Sequence, residues 1–181
     1  MKRSFIFPAA LFALVVITSC GPTYRPFTQD LQDDNRWTED ELKNIQFYLS
    51  RDVVLHRNLS SGESVIEGGK IRIKEGQRIE EVVIKEGTPG VLLFMPKEER
   101  LAISFENGKD KFLMFGPHPK WDGRYMLLGS EWDKYAGKVT YQGKTYNTSS
   151  KSAYAGLLVD LDKVQQVTRE RHTAAGRKIR S

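Results

Sequence analysis

The chain has 181 residues and a net charge of +5, and its length is that of one domain with a single core. Residues 163–181 alone carry a charge of +5, and Lys2 and Arg3 add two more, so the residues between are slightly acidic. The basic character therefore belongs to the two ends, which argues against a nucleic-acid-binding domain. Cys20 is the only cysteine, which excludes an internal disulfide and a metal site built on several thiolates.

Residues 1–20 have the order of a secretory signal. A basic pair, Lys2 and Arg3, precedes an apolar run over 5–17, and two small polar residues precede Cys20. The run is shorter than the roughly 20 residues that a membrane-spanning helix needs. An exported chain is therefore favoured over the competing interpretation, a single uncleaved membrane anchor.

The four residues Ile17-Thr18-Ser19-Cys20 resemble the lipobox of bacterial lipoprotein precursors, and the chain as a whole looks like a Bacteroidota-type lipoprotein. The resemblance implies that residues 1–19 are removed and that Cys20 carries three fatty acyl chains such as palmitate, enough for stable anchoring. Gly21 is not acidic, which by the same resemblance favours the outer membrane. The next few residues carry no acidic run of the kind that sends such proteins to the cell surface, so we expect a position facing the periplasm.

Composition divides the exported chain into three parts. Residues 20–35 are rich in polar residues, Gly and Pro and predict a lipidated tether. Residues 36–168 predict one domain, and 169–181 a basic, disordered tail. The domain opens on Thr38 and Glu41, spaced as a capping box, which predicts a helix that runs to about Ser50.

Beyond Ser50 the apolar period changes from 3.6 to 2, which indicates strands. Lys70–Lys74 and Ile79–Lys85 predict one hairpin, and the Gln142-Gly143 turn predicts another. The run Val91–Met95 is wholly apolar and predicts a central strand covered on both faces. About nine short strands favour a mainly β fold, a small antiparallel barrel or sandwich, with a short C-terminal helix after Asp160.

Motifs for catalysis are missing from the sequence. No Gly-x-Ser-x-Gly is present, and the three histidines are not in metal-ligand spacing, so we expect no enzyme, no metal and no cofactor. Glu80 and Glu81 are adjacent on a predicted strand, so they face opposite sides and make a poor catalytic pair. Glu131 and Asp133 are better placed, and they leave a cell-wall hydrolase as the least favoured alternative.

The segment Pro117–Gly137 holds aromatic residues among Pro, Gly, Lys and Asp. Such residues contact proteins or glycans, and the alternative is that the tryptophans belong to the core. The candidate contact residues are Trp121, Tyr125, Trp132 and Tyr135.

The basic tail has three interpretations: a solvated segment, a contact to anionic lipid head groups, or a contact to an acidic partner. Its candidate residues are Arg169, Arg171, Arg177, Lys178 and Arg180. Taken together, the sequence favours a lipid-anchored, non-enzymatic subunit of an outer-membrane or secretion-type assembly with a protein partner in the envelope. A lipoprotein that binds a small ligand or a glycan is the alternative.

Overall fold

The computed structural model describes residues 23–62, 69–74, 77–108, 110–133 and 136–164. Within these residues the fold is mainly β, as predicted, and consists of two antiparallel sheets. Over the described residues, neither sheet closes into a barrel. The signal sequence with Cys20, Tyr135 and the five basic tail residues lie outside the described residues.

The larger sheet has seven strands. In spatial order they are β1 (Tyr24–Pro26), β12 (Leu157–Asp160), β2 (Phe47–Leu49), β6 (Pro89–Lys97), β7 (Arg100–Ser104), β8 (Leu113–His118) and β9 (Arg124–Leu127).

The smaller sheet has five strands. In spatial order they are β10 (Ala136–Tyr141), β11 (Lys144–Ser149), β3 (Val53–Asn58), β5 (Gln77–Ile84) and β4 (Lys70–Lys74).

The helical segments are short and connect the strands. They are α1 (Gln29–Asn35), α2 (Glu39–Leu42), a 3-10 turn (Pro119–Trp121), α3 (Ser150–Ala153) and a helical turn at 161–164. Buried side chains from both sheets belong to one core cluster, which includes Leu55 and Tyr146 from the smaller sheet and Phe47 and Phe115 from the larger.

The predicted tether over 20–35 is wrong from Tyr24 onward. Strand β1 pairs with β12, and α1 begins on Thr28, whose hydroxyl accepts a hydrogen bond from the Leu31 N–H at 3.2 Å. Phe27 is fully buried and contacts Phe47 edge to face. One buried aromatic ring in a polar stretch leaves no periodic pattern, so composition alone favoured a linker.

The predicted capping box is confirmed, and the predicted helix length is wrong. The Thr38 hydroxyl accepts the Glu41 N–H, and the Glu41 carboxylate accepts the Thr38 N–H at 2.8 Å. Helix α2 nevertheless ends at Leu42, because Phe47–Leu49 pairs with β12 and β6. Burial of Phe47 and Leu49 inside the sheet therefore outweighs the helical spacing of the segment.

Both predicted hairpins are confirmed, since β4 pairs with β5 and β10 pairs with β11. The two-sided covering predicted for Val91–Met95 is wrong. Val91, Leu93 and Phe94 in β6 are between 38% and 44% exposed, and the strand is irregular between Leu92 and Lys97.

Candidate functional site

Three half-exposed aromatic side chains surround one cleft beside the end of β9. Trp121 lies in the 3-10 turn, Trp132 in the loop before β10, and Tyr154 directly after α3. Their exposed fractions are 42%, 36% and 47%. We call the space between them the tryptophan cleft; it has a volume of about 570 Å³, and Met126 and Leu128 line it as well.

The cleft has an apolar wall and a few polar groups at its rim. The Trp121 and Tyr154 rings meet edge to face, with centroids 5.5 Å apart. His118, Lys120 and Asp133 also line the space. A cleft of several hundred Å³ with aromatic walls and few polar groups has the size and chemistry of a ligand or side-chain pocket.

Two glycines seat the indole of Trp132. A Cβ atom added at Gly137 would lie 2.1 Å from Trp132 Cε3, and one added at Gly129 would lie 2.9 Å from Trp132 Cζ2. The backbone of Ser130 pairs with that of Lys138 through two hydrogen bonds of 2.8 and 2.9 Å. The ring therefore rests directly on main chain, which no other residue type at 137 would permit.

The Trp121 side is held by turn chemistry. Pro119 starts the 3-10 turn, and His118 Nδ1 accepts the Lys120 N–H at 3.3 Å. The turn ends on Asp122 and Gly123, both in the left-handed region, and the Gly123 carbonyl accepts the Gln29 N–H at 2.9 Å. Helix α1 thus braces the turn that carries Trp121.

A second, smaller hollow lies on the other side of the Trp121–Tyr154 pair. Its volume is about 280 Å³, and Arg51, Arg124 and Leu158 are among its lining residues. Trp121, Tyr154 and Met126 line both hollows. The aromatic pair is therefore a ridge between two depressions.

The four predicted contact residues have different positions. Trp121 and Trp132 meet at the cleft, whereas Tyr135 lies outside the described residues. Tyr125 is only 1% exposed, and its ring packs on Phe27 at 4.9 Å, so its proposed role in surface contact is wrong. Burial, with the carboxylates of Glu99 and Asp33, raises the pKa of the Tyr125 phenol.

Tyr154 is a residue of the cleft that the sequence did not single out. It follows α3 directly, and its N–H donates to the Lys151 carbonyl at 3.3 Å. Its neighbour in space, Trp121, is 33 positions away in the chain. No local pattern could indicate that contact.

The two acidic residues beside Trp132 are engaged within their own loop. Glu131 Oε2 accepts a hydrogen bond from Lys138 Nζ at 2.5 Å, and Asp133 Oδ1 accepts the Ala136 N–H at 2.6 Å. These contacts fix the loop that carries Trp132. Among the described residues, no group of three or more His, Cys, Asp or Glu side chains is placed to hold a metal ion.

Glu80 faces inward, opposite to Glu81, as the strand pattern predicts, and it is fully buried. Its Oε2 accepts hydrogen bonds from Arg57 Nε at 2.6 Å and from the Tyr146 hydroxyl at 3.1 Å. The Arg57 guanidinium also lies over the Tyr146 ring, 5.7 Å from its centroid. This enclosed cluster links β3, β5 and β11 and is a structural element of the core, since a buried carboxylate needs such partners.

Comparisons with protein-family models, with curated proteins and with solved structures gave no match for this chain. In the part of the chain that the structure describes, no helix has the length and apolar character needed to cross a membrane.

Proposed function

We propose that this protein is a lipid-anchored, non-enzymatic protein of the cell envelope, and that it serves as an accessory subunit of an outer-membrane or secretion-type assembly. The tryptophan cleft is the observation that carries the proposal. Exposed tryptophans that are held in fixed positions are the side chains that dominate binding energy at protein interfaces. The cleft would receive an apolar side chain of the partner.

The positions of the two tryptophans favour this role over a packing role. Trp132 rests on the backbone of Gly129 and Gly137, and the turn that carries Trp121 is braced by α1. Side chains that are already ordered lose little conformational entropy on binding. The apolar surface of the cleft therefore contributes to affinity rather than to ordering its own walls.

The location proposed for the protein depends on the lipobox-like Ile17–Cys20 segment. Removal of residues 1–19 and acylation of Cys20 would place the protein on the outer membrane, facing the periplasm. Cys20→Ala should abolish incorporation of labelled palmitate and leave residues 1–19 attached, and globomycin, which blocks the lipoprotein signal peptidase, should cause accumulation of the full-length precursor of the wild type. Palmitate incorporation into Cys20→Ala at the wild-type level, or a wild-type precursor that globomycin does not affect, would refute the anchor.

The finer architecture is also a proposal: we favour a sandwich of the two sheets. The support is that Leu55 and Tyr146 of the smaller sheet share one core cluster with Phe47 and Phe115 of the larger. An antiparallel sheet with one buried and one wet face is the expected component of such an arrangement.

The partner is tested by affinity purification of the tagged, lipidated protein from solubilised envelopes. A stoichiometric partner should be retained by the wild type and lost by the Trp121→Ala/Trp132→Ala variant. Leu93→Ala is the matched control. Leu93 is 38% exposed, close to the exposed fractions of the two tryptophans, but it lies on β6 and not at the cleft. Equal recovery of the partner with both variants, or no stoichiometric partner at all, would contradict the proposal.

A small ligand or a glycan is the second candidate occupant, and the size of the cleft favours it. A space of about 570 Å³ is within the range of small-molecule sites. The probe is a chitin tetrasaccharide, monitored by tryptophan fluorescence. Trp37 is buried, so a change in emission that Trp121→Phe and Trp132→Phe abolish would locate the sugar at the cleft.

For the basic tail we propose contact with anionic lipid head groups. Tyr24 pairs with Asp160, so the segments before β1 and after β12 leave the domain at the same end. The five tail cations would then be close to the membrane that holds Cys20. Replacing all five by Gln should reduce binding of an unlipidated protein that begins at Gly21 to vesicles with 30% phosphatidylglycerol, without affecting its weak binding to neutral vesicles.

A further inference from the structure

The smaller sheet ends on β4, a strand of five residues. β4 pairs with β5 through five residue pairs, from Lys70↔Glu81 to Lys74↔Gln77. On its other side no strand lies beside it among the described residues. The backbone groups on that side can therefore pair with a further strand.

The inward face of β4 is apolar and exposed. Ile71 lies opposite Glu80 and Ile73 opposite Arg78, so both isoleucines continue the face that is buried at Glu80 and Val82. Their own exposed fractions rise to 48% and 78% toward the turn. The apolar face of the sheet thus extends beyond the core.

The other face of β4 is basic. Lys70 lies opposite Glu81, and Arg72 Nε binds Glu81 Oε1 at 2.8 Å. Glu81 is thus the one carboxylate that β5 places beside two cations, and Lys74 continues the basic alternation in the sequence. An excess of positive charge remains along the edge.

This charge pattern selects among the strands that could add to the edge. Two copies of β4 paired antiparallel about Arg72 would bring Arg72 against Arg72 and Lys70 against Lys74. Like charges directly opposite each other destabilise a strand pair, and opposite charges stabilise it. Edge lysines also prevent unspecific pairing, so the same residues that discourage a second copy favour an acidic strand.

We propose that the free edge of β4 is a docking site for an extended segment of a partner protein in which acidic residues alternate with apolar ones. The acidic side chains lie opposite the β4 cations, and the apolar ones cover Ile71 and Ile73. This surface shares no residue with the tryptophan cleft, so the docking proposal does not depend on the function proposed for the cleft.

The test uses the full chain in detergent with a synthetic peptide, Thr-Glu-Val-Glu-Val-Glu-Thr, and a control peptide with Lys in place of each Glu. The acidic peptide should bind about tenfold more tightly than the basic one and slow amide hydrogen exchange within 70–74. A peptide with a central proline, which cannot complete the ladder, should not slow exchange.

The matched variant is Lys70→Glu/Arg72→Glu, which should reverse the preference so that the basic peptide binds more tightly. A misfolded variant would bind neither peptide selectively, so reversal supports the docking edge. Equal binding of both peptides to the wild type would overturn the proposal. Amides within 70–74 that are all protected before any peptide is added would also overturn it, because the edge would then already be covered.

Discussion

Two aromatic clusters lie close together in this protein, and only one of them is covered. Tyr125 is buried with Phe27 and Trp37, whereas Trp121, four residues earlier, is half-exposed with Tyr154. The difference is the segment 24–37, which packs over Tyr125 and donates and accepts backbone hydrogen bonds beside it. In the described part of the chain no segment lies over the second cluster, so its apolar surface is available to another molecule.

The largest expected contrast is between Phe27→Ala and Trp121→Ala. Phe27 is fully buried among three aromatic rings, so its truncation should lower the free energy of unfolding by about 3–5 kcal/mol. Trp121→Ala should cost less than about 1 kcal/mol, because its ring is half-exposed. Urea unfolding measures both, and similar losses would remove the distinction between a covered and an open cluster.

Gly137→Ala should disturb the open cluster without removing any aromatic ring. The added methyl would overlap the Trp132 indole, so we expect a loss of about 1–3 kcal/mol in unfolding free energy and a displaced ring. The control is the same change in a Trp132→Ala background, where the methyl has room and the cost should largely disappear. An equal cost in both backgrounds would mean that the glycine serves the backbone rather than the indole.

Tyr125→Phe tests the buried aromatic cluster. The Tyr125 hydroxyl is buried, and among the described residues it has no hydrogen-bond partner. A buried unsatisfied hydroxyl is costly, so its removal should raise the free energy of unfolding by about 1 kcal/mol at neutral pH. A loss of stability would instead show that the hydroxyl is satisfied, for example by an internal water.

The smallest effect is on alkaline stability. Burial raises the pKa of the Tyr125 phenol above its usual value near 10, so the folded state keeps the proton longer than the unfolded state. The part of the unfolding free energy that requires the protonated Tyr125 phenol is therefore fully present below about pH 10. It is lost as the pH rises above that value. Tyr125→Phe should reduce the slope of unfolding free energy against pH between about pH 10 and 12, and an unchanged slope would contradict this.

Local chemistry predicted from the sequence is found in the structure, whereas features that depend on distant partners are not. Thr38 with Glu41, and Gln142 with Gly143, define a cap and a turn from side chains a few residues apart. The end of α2 depends on strands β6 and β12, and the burial of Phe27 depends on β9. Neither feature produces a local periodic pattern of apolar residues in the sequence.

The candidate site follows the same division. Composition singled out Trp121 and Trp132, but the same composition included Tyr125, which the core absorbs. Tyr154 joins the cleft only because α3 lies near β9. The position of the Trp132 indole requires the backbone of Gly129 and that of Gly137 to contact the same ring. Residue type can identify candidate residues for a site. Which of them belong to it depends on which side chains are buried and on which lie next to one another in the fold.

The pairing of β1 with β12 also sets a length. Tyr24 is four residues after Cys20, so an extended chain between them spans at most about 14 Å. A lipid on Cys20 would therefore hold the folded body within about 14 Å of the bilayer surface, with the end of the β1–β12 pair at Tyr24 and Asp160 turned toward it. The protein would then bind only partners that come to the membrane, because a connection of four residues does not let the domain extend far from the bilayer.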